Sequence, residues 1–305
     1  MTGVNVERRA SIIAAIVSAA CFGTLAIFTS FAYRAGARPL PLLAWRFALA
    51  AVLLGGYLLA TRPRVLRVPA GDIARYAVLA VAGYGAASIC FFFALTYIDA
   101  SVVAILLYTY PAMVVLAERV AYGIRLTKAR WIAVGLTFGG SVLVLDPFGV
   151  SDSMSLVGVL LGLGAALGYS VFSILSQRWG EGRSRAALMT YLFVFTALLA
   201  SVAAITVGEP LSPASWEPLV WPMLGAIVVL PTFLAIVLYL RAIRGLGASQ
   251  AALLSTFEPV FTIVLAAVVL GERLVAWQWA GAALVIVGVF VAERAARPPE
   301  QMAII

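Results

Sequence analysis

Ten apolar runs separated by short polar connections organise the chain, and this pattern predicts ten membrane-spanning helices. The runs lie near residues 10–33, 40–60, 73–96, 100–119, 129–146, 155–178, 186–207, 218–241, 247–270 and 276–293. Each comes close to or exceeds the roughly 20 mostly apolar residues that cross a bilayer as a helix. The connections carry turn residues and charge, as in Arg62-Pro63-Arg64, Asp146-Pro147-Phe148-Gly149, Gly180-Glu181-Gly182-Arg183 and Gly208-Glu209-Pro210. None is long enough to hold a soluble domain. The first run follows Glu7-Arg8-Arg9, is too long for the apolar part of a secretory signal, and is read as a retained helix.

The charges divide by connection. With Met1 in the cytoplasm, 17 of the 21 Lys and Arg residues fall on cytoplasmic segments, three on the opposite side, and one, Arg46, inside a run. The cytoplasmic groups are Arg8 and Arg9; Arg62, Arg64, Arg67 and Arg75; Arg119, Arg125, Lys128 and Arg130; Arg178, Arg183 and Arg185; Arg241 and Arg244; and Arg294 and Arg297. Arg34, Arg38 and Arg273 face outward. Loops rich in Lys and Arg stay on the cytoplasmic side, so the bias predicts a multi-pass inner-membrane protein with both termini cytoplasmic.

Composition removes other classes. Hydrophobic residues make up 64% of the chain and charged residues 11%, against about half and about a quarter in a soluble domain. The net charge of +8 is dispersed through short loops beside apolar runs. That distribution argues for the lipid bilayer as partner and against nucleic acid. There is no histidine, which removes Ser-His-Asp and Cys-His catalysis and His-ligated metals. Cys21 and Cys90 both fall inside runs and read as small buried hydrophobes, neither a disulfide framework nor a metal spacing. Asp72, Asp99, Asp146 and Asp152 fall at span ends or in loops, so no intramembrane Asp pair is expected. The chain is read as a non-enzyme that needs no cofactor or metal.

A shift of 148 residues aligns Ala100 with Ala248, Ser101 with Ser249, Pro111 with Pro259, Gly123 with Gly271, Arg125 with Arg273, Trp131 with Trp279 and Gly140 with Gly288. Alanine matches are cheap here; a Pro, two Gly, an Arg and a Trp in one register are not. The chain is therefore read as two homologous halves, residues 1–149 and 150–305, of five spans each. Five is odd, so the second half enters the membrane from the opposite side. The fold class expected is an all-α polytopic membrane protein of ten helices in two inverted five-helix repeats, an architecture of many secondary transporters.

Ala100-Ser101 leading to Pro111, Ala248-Ser249 leading to Glu258-Pro259, and Leu270-Gly271-Glu272-Arg273-Leu274 resemble the EamA family of the drug/metabolite transporter superfamily. Ala44-Trp45-Arg46-Phe47 and the stretch from Gly281 to Gly288 look like the family too, so the likeness covers almost the whole chain. It implies ten helices in inverted repeats and export of a small molecule. Among members, the aromatic-rich chain is similar to amino-acid exporters of the YddG type. One departure is visible: Ile124 stands where Glu272 stands in the second half.

Several residues are candidates for the transport site. Glu258 lies about eleven residues into the ninth run, where an ionisable group is costly and points to function. Ser255 and Thr262, at i−3 and i+4, share its helical face. Its repeat counterpart is Tyr110, and Pro111 and Pro259 follow the two as kink and gating candidates. Tyr84, Tyr108, Tyr110, Tyr169 and Phe22 offer aromatic surface within the runs. Arg46, about six residues from the outer end of its run, reads as a structural or gating cation that snorkels or pairs with a helix terminus. Glu118, beside Arg119, reads as a boundary group, and Trp216, Trp221, Trp277 and Trp279 as an interfacial belt.

Gly135 and Gly139, and Gly164 and Gly168, suit close helix packing within a monomer, with a weak homodimer as the other use. The expected function is secondary-active export of amino acids or related small amphipathic metabolites from a site between the halves. Proton uptake at Glu258 is the ion-driven route the chain offers. Export of cationic drugs by the same kind of protein is the alternative.

Overall fold

The computed structural model describes residues 2–122, 127–144, 155–180, 184–246, 254–255 and 257–295, and all regular structure among them is helical. The helices are α1 (Thr2–Arg34), α2 (Pro39–Thr61), α3 (Ala70–Ala94), α4 (Ala100–Leu107), α5 (Tyr110–Tyr122), α6 (Lys128–Val144), α7 (Leu156–Gly180), α8 (Arg185–Thr206), α9 (220–246), α10 (Glu258–Leu270) and α11 (Ala276–Ala295). Among the described residues seven helices are long and apolar enough to cross a membrane, the stretch Ala100–Ala117 counting as one; Glu258–Leu270 and Ala276–Val291 are shorter apolar helices. Val52, Leu59, Leu160, Ile205 and Val268 are more than half exposed. Apolar surface of that extent is stable only with lipid as solvent, so the chain is a multi-pass membrane protein. Asp146, Asp152, Ile124, Arg125, Ala248 and Ser249 lie outside the described residues, as does the side chain of Glu118.

Local chemistry sets the helix ends. Pro39 opens α2, where its missing N–H costs nothing. The Ser184 hydroxyl accepts from the Ala187 amide and caps α8. Gly36 and Gly208, with φ of 86° and 75°, end α1 and α8 in the left-handed conformation. Behind them Ala37 N–H bonds to Ala32 O and Glu209 N–H to Ala204 O, which uses carbonyls the helices leave over.

The chain forms two compact units. One comprises Met1–Ile27, Ile98–Ser155 and Val229–Ile305; the other comprises Phe28–Tyr97 and Leu156–Val228. These units interleave along the chain, whereas the repeat divides it near residue 150, so each unit draws helices from both sequence halves.

In the first unit α6 and α11 pack antiparallel. Gly140 meets Gly281 and Val285, while Gly288 meets Ala133 and Thr137. The Gln278 amide also donates to Val144 O at 3.2 Å. Adding 148 turns Gly140, Ala133 and Thr137 into Gly288, Gly281 and Val285, so the contacts exchange with one another under the repeat. α4 and α10 also run antiparallel: Glu272 bonds to Ala100 and Ser101 at one end, and Glu258 bonds to Tyr108 at the other. Ser18 on α1 donates to Ala235 O at 2.6 Å.

In the second unit α2 packs on α8, and α3 packs on α7 and α8. Small residues allow close approach: a Cβ on Gly83 would lie 3.0 Å from Phe172, one on Gly168 2.9 Å from the Ala87 amide, and one on Gly164 3.3 Å from Cys90. Gly164 and Gly168 thus serve packing within the unit, while Gly135 and Gly139 face open space. Trp216 turns inward against Trp221 at 5.7 Å, and Trp45 donates to Leu211 O at 3.0 Å.

Three helices carry π-helical segments: Leu79–Gly85 in α3, Val228–Leu234 in α9 and Ala266–Leu270 in α10. The first two stand one residue away from the 148-residue register. Pro231 lies inside the second, where the wider turn accommodates the missing N–H.

Candidate functional site

The site follows from two proline residues. Span 100–122 is not one continuous helix: α4 ends at Leu107, Tyr108 and Thr109 form a turn, and α5 begins at Tyr110-Pro111. The ninth run does the same 148 residues later, with a turn at Phe257 and α10 beginning at Glu258-Pro259. Proline cannot donate to the carbonyl four residues back, so each helix restarts with Pro in its first turn. The sequence predicts a kink at Pro111 and Pro259; the structure has a break at both.

The breaks meet within the first unit. Tyr108 Oη lies 2.8 Å from Glu258 Oε2 and 3.0 Å from the Ser255 carbonyl oxygen. Tyr110 packs edge-on against Tyr108, centroids 6.1 Å apart. From α1, Gly23 approaches so closely that a Cβ there would lie 3.1 Å from Phe261 Cβ and 3.2 Å from the Glu258 carbonyl. The Thr262 hydroxyl lies 3.1 Å from that carbonyl and 3.3 Å from Gly23 O. Phe22, the residue before Gly23, is half-buried. Glu258, Tyr108, Tyr110 and Ser255 are therefore brought together, and Pro111 and Pro259 are buried, while Phe22 is placed only as the neighbour of Gly23 along the chain. Ser255 enters through its carbonyl as well as its place on the helix. Glu258 bonds to Tyr108, two residues before its repeat counterpart Tyr110.

The second unit holds a separate aromatic group. Tyr84, on the π segment of α3, lies 6.5 Å from Tyr169, 5.3 Å from Phe172 and 5.7 Å from Phe47, centroid to centroid. The Arg46 guanidinium lies 4.8 Å from the Phe47 ring and 5.6 Å from Phe92, in cation–π range. Arg46 is only 4% exposed and lies against these rings. Phe92 also receives the Tyr33 hydroxyl on its carbonyl at 2.8 Å.

Sequence reasoning missed three contributors: Gly23, Phe172 and the role of Glu272. Glu272 caps the start of α4 from 171 residues away, accepting from Ala100 N–H at 2.8 Å, Ser101 N–H at 3.0 Å and the Ser101 hydroxyl at 2.6 Å. The Leu270-Gly271-Glu272 motif was the only signal for it.

An acidic group hydrogen-bonded to a phenol between two broken helices can bind a cation or ammonium group, or exchange a proton. Comparison with known proteins agrees with a membrane role. The EamA-like transporter family matches the chain twice, over residues 9–146 and 156–293. The uncharacterized transporter YyaM of Bacillus subtilis is 26% identical over 263 residues, covering 84% of this chain and 85% of its own. YcbK of the same organism, also named an uncharacterized transporter, is 28% identical over 295 residues, 88% of each chain. The chloramphenicol-sensitive protein RarD of Pseudomonas aeruginosa is 32% identical over 165 residues, 53% of this chain and 51% of its own. A solved crystal structure shares the fold with a TM-score of 0.65 and 21% identity, covering 92% of this chain and 96% of its own.

Proposed function

The chain belongs to the EamA-like transporter family and is a membrane transporter, not an enzyme; from that premise we propose that it exports amino acids or related small amphipathic metabolites by secondary-active alternating access. Its ten spans form two inverted repeats, residues 1–149 and 150–305. Three observations support this architecture. The family matches once in each half. The helix pairs α4 with α10 and α6 with α11 are antiparallel, and the contacts of the second pair exchange under the 148-residue shift. The helix breaks recur in one register, and the π segments of α3 and α9 one residue from it. The charge bias supports an inner-membrane location with both termini cytoplasmic.

The observation that carries the site is the Glu258–Tyr108 contact at two facing helix breaks. Glu258 binds the ammonium group of the substrate or a proton that drives its export; Tyr108, Tyr110, Ser255 and Phe22 complete the surface around it. Tyr84 and Tyr169 offer a second aromatic surface within their own unit, with Arg46 as a structural cation there. No cofactor takes part.

Export of cationic drugs is the second reading, since a carboxylate beside aromatic rings suits such solutes equally. Counterflow in liposomes tests both. The purified protein is loaded with unlabelled solute and challenged with labelled amino acids, and with labelled cationic compounds in a parallel series. Amino-acid uptake above empty liposomes is expected. Uptake of the cationic compounds alone selects the second reading, and no uptake across a broad panel contradicts both.

A further inference from the structure

We propose that Tyr108 is a positioning residue that couples the protonation of Glu258 to the helix break at Pro259. The proposal rests on the reading of Glu258 as the proton-coupling group and names how its proton is felt by the fold.

Pro259 has no N–H, so the Ser255 carbonyl lacks the donor that residue 259 of a continuous helix would supply. Tyr108 Oη stands 3.0 Å from that carbonyl and 2.8 Å from Glu258 Oε2. A carbonyl and a carboxylate only accept, and a phenol has one hydrogen. Both contacts are hydrogen bonds at once only when the carboxyl brings its own hydrogen. Glu258 then donates to Tyr108 Oη, and Tyr108 donates to Ser255 O. When Glu258 is ionised the single phenol hydrogen goes to the carboxylate, because a bond to a charged acceptor is the stronger one. The Ser255 carbonyl then loses this donor. Tyr108 is only 7% exposed, so its hydroxyl is largely shielded from competing water.

Loss of the proton therefore moves one hydrogen bond away from the end of the segment before the break, and its return restores it. The pair is made from the turn of one broken helix and the start of the other, so a proton moves a contact between the two elements that proline has already freed. Among the described residues the groups around the carboxyl come from three elements. From the α4–α5 turn come the Tyr108 hydroxyl and, behind it, Tyr110. From α1 comes the Gly23 backbone, which brings no charge. Tyr239 and Leu254, the residue before Ser255, both pack against the buried pair Ala15 and Ala242.

Infrared difference spectroscopy across a pH titration, on the full-length protein in liposomes without substrate, tests the proposal. The wild type is expected to show a carboxylic C=O band that titrates together with an amide-I change, and Glu258→Gln removes both. Tyr108→Phe keeps the ring, moves the frequency of the band and abolishes the amide-I change. Pro259→Ala supplies an N–H to Ser255 O, so the band remains while the amide-I change is lost. A band at unaltered frequency in Tyr108→Phe, or an amide-I change that survives in both variants, overturns the proposal. If proton-driven accumulation persists in Glu258→Gln, the coupling reading fails and this proposal with it. If accumulation is lost there but Tyr108→Phe leaves the spectra untouched, the reading stands and only the role of Tyr108 falls.

Discussion

Gly140 and Gly281 meet backbone to backbone: a Cβ on the first would lie 2.6 Å from the carbonyl oxygen of the second, and one on the second 2.5 Å from that of the first. The contact sits at the crossing of α6 and α11, the last helix of each sequence half. Helices in a bilayer gain stability from close packing rather than from escape from water, so small residues at a crossing are energetically important.

Gly140→Ala and Gly281→Ala should each destabilise the protein. The clash is with backbone, which cannot rotate away, and overpacking of this kind costs about 1–3 kcal/mol. Helix propensity returns at most about 1 kcal/mol of it. Gly135→Ala, where nothing lies within 4 Å, is the control and should be neutral or slightly stabilising. Thermal unfolding in detergent, with all three variants side by side, checks the ordering.

Glu272→Ala removes three bonds from the first turn of α4. Loss of a helix cap costs about 0.5–2 kcal/mol. Faster hydrogen exchange at the Ala100 and Ser101 amides, with a lowered melting temperature, is the expected outcome. Glu272→Gln keeps one acceptor oxygen and should lose less. Unchanged exchange at both amides in Glu272→Ala would contradict the capping role.

Much of this was legible in the sequence, and the remainder was not for physical reasons. Hydropathy placed the helices because lipid demands long apolar runs, and Pro111 and Pro259 marked where helix hydrogen bonding fails. The 148-residue register put Tyr110 opposite Glu258, yet Tyr108 makes the bond. A repeat aligns residues that play the same part in each half; it does not say which residues touch across them. The π segments at Leu79–Gly85 and Val228–Leu234 leave hydropathy unchanged, because an inserted residue widens a turn without altering polarity. The rings of Phe47 and Phe92 lie against the Arg46 guanidinium, and the second of these contacts leaves no local pattern in the sequence. Glu272 stands 171 residues from Ser101 along the chain, and no local pattern announces a cap supplied from so far away.

The proposed topology rests on the distribution of Lys and Arg. With Cys21 and Cys90 replaced, a single cysteine at Asp152 should react with a membrane-impermeant maleimide added from outside, and one at Lys128 only after the membrane is opened. Reaction at position 152 from the cytoplasmic side alone would reverse the proposed orientation.

The proposed coupling of export to a proton gradient rests on the Glu258 carboxyl. Glu258→Gln in liposomes isolates that carboxyl, by comparing solute counterflow with accumulation driven by an imposed proton gradient. Counterflow should persist while gradient-driven accumulation falls to the level of empty liposomes. Retention of both at wild-type rates would contradict proton coupling through Glu258.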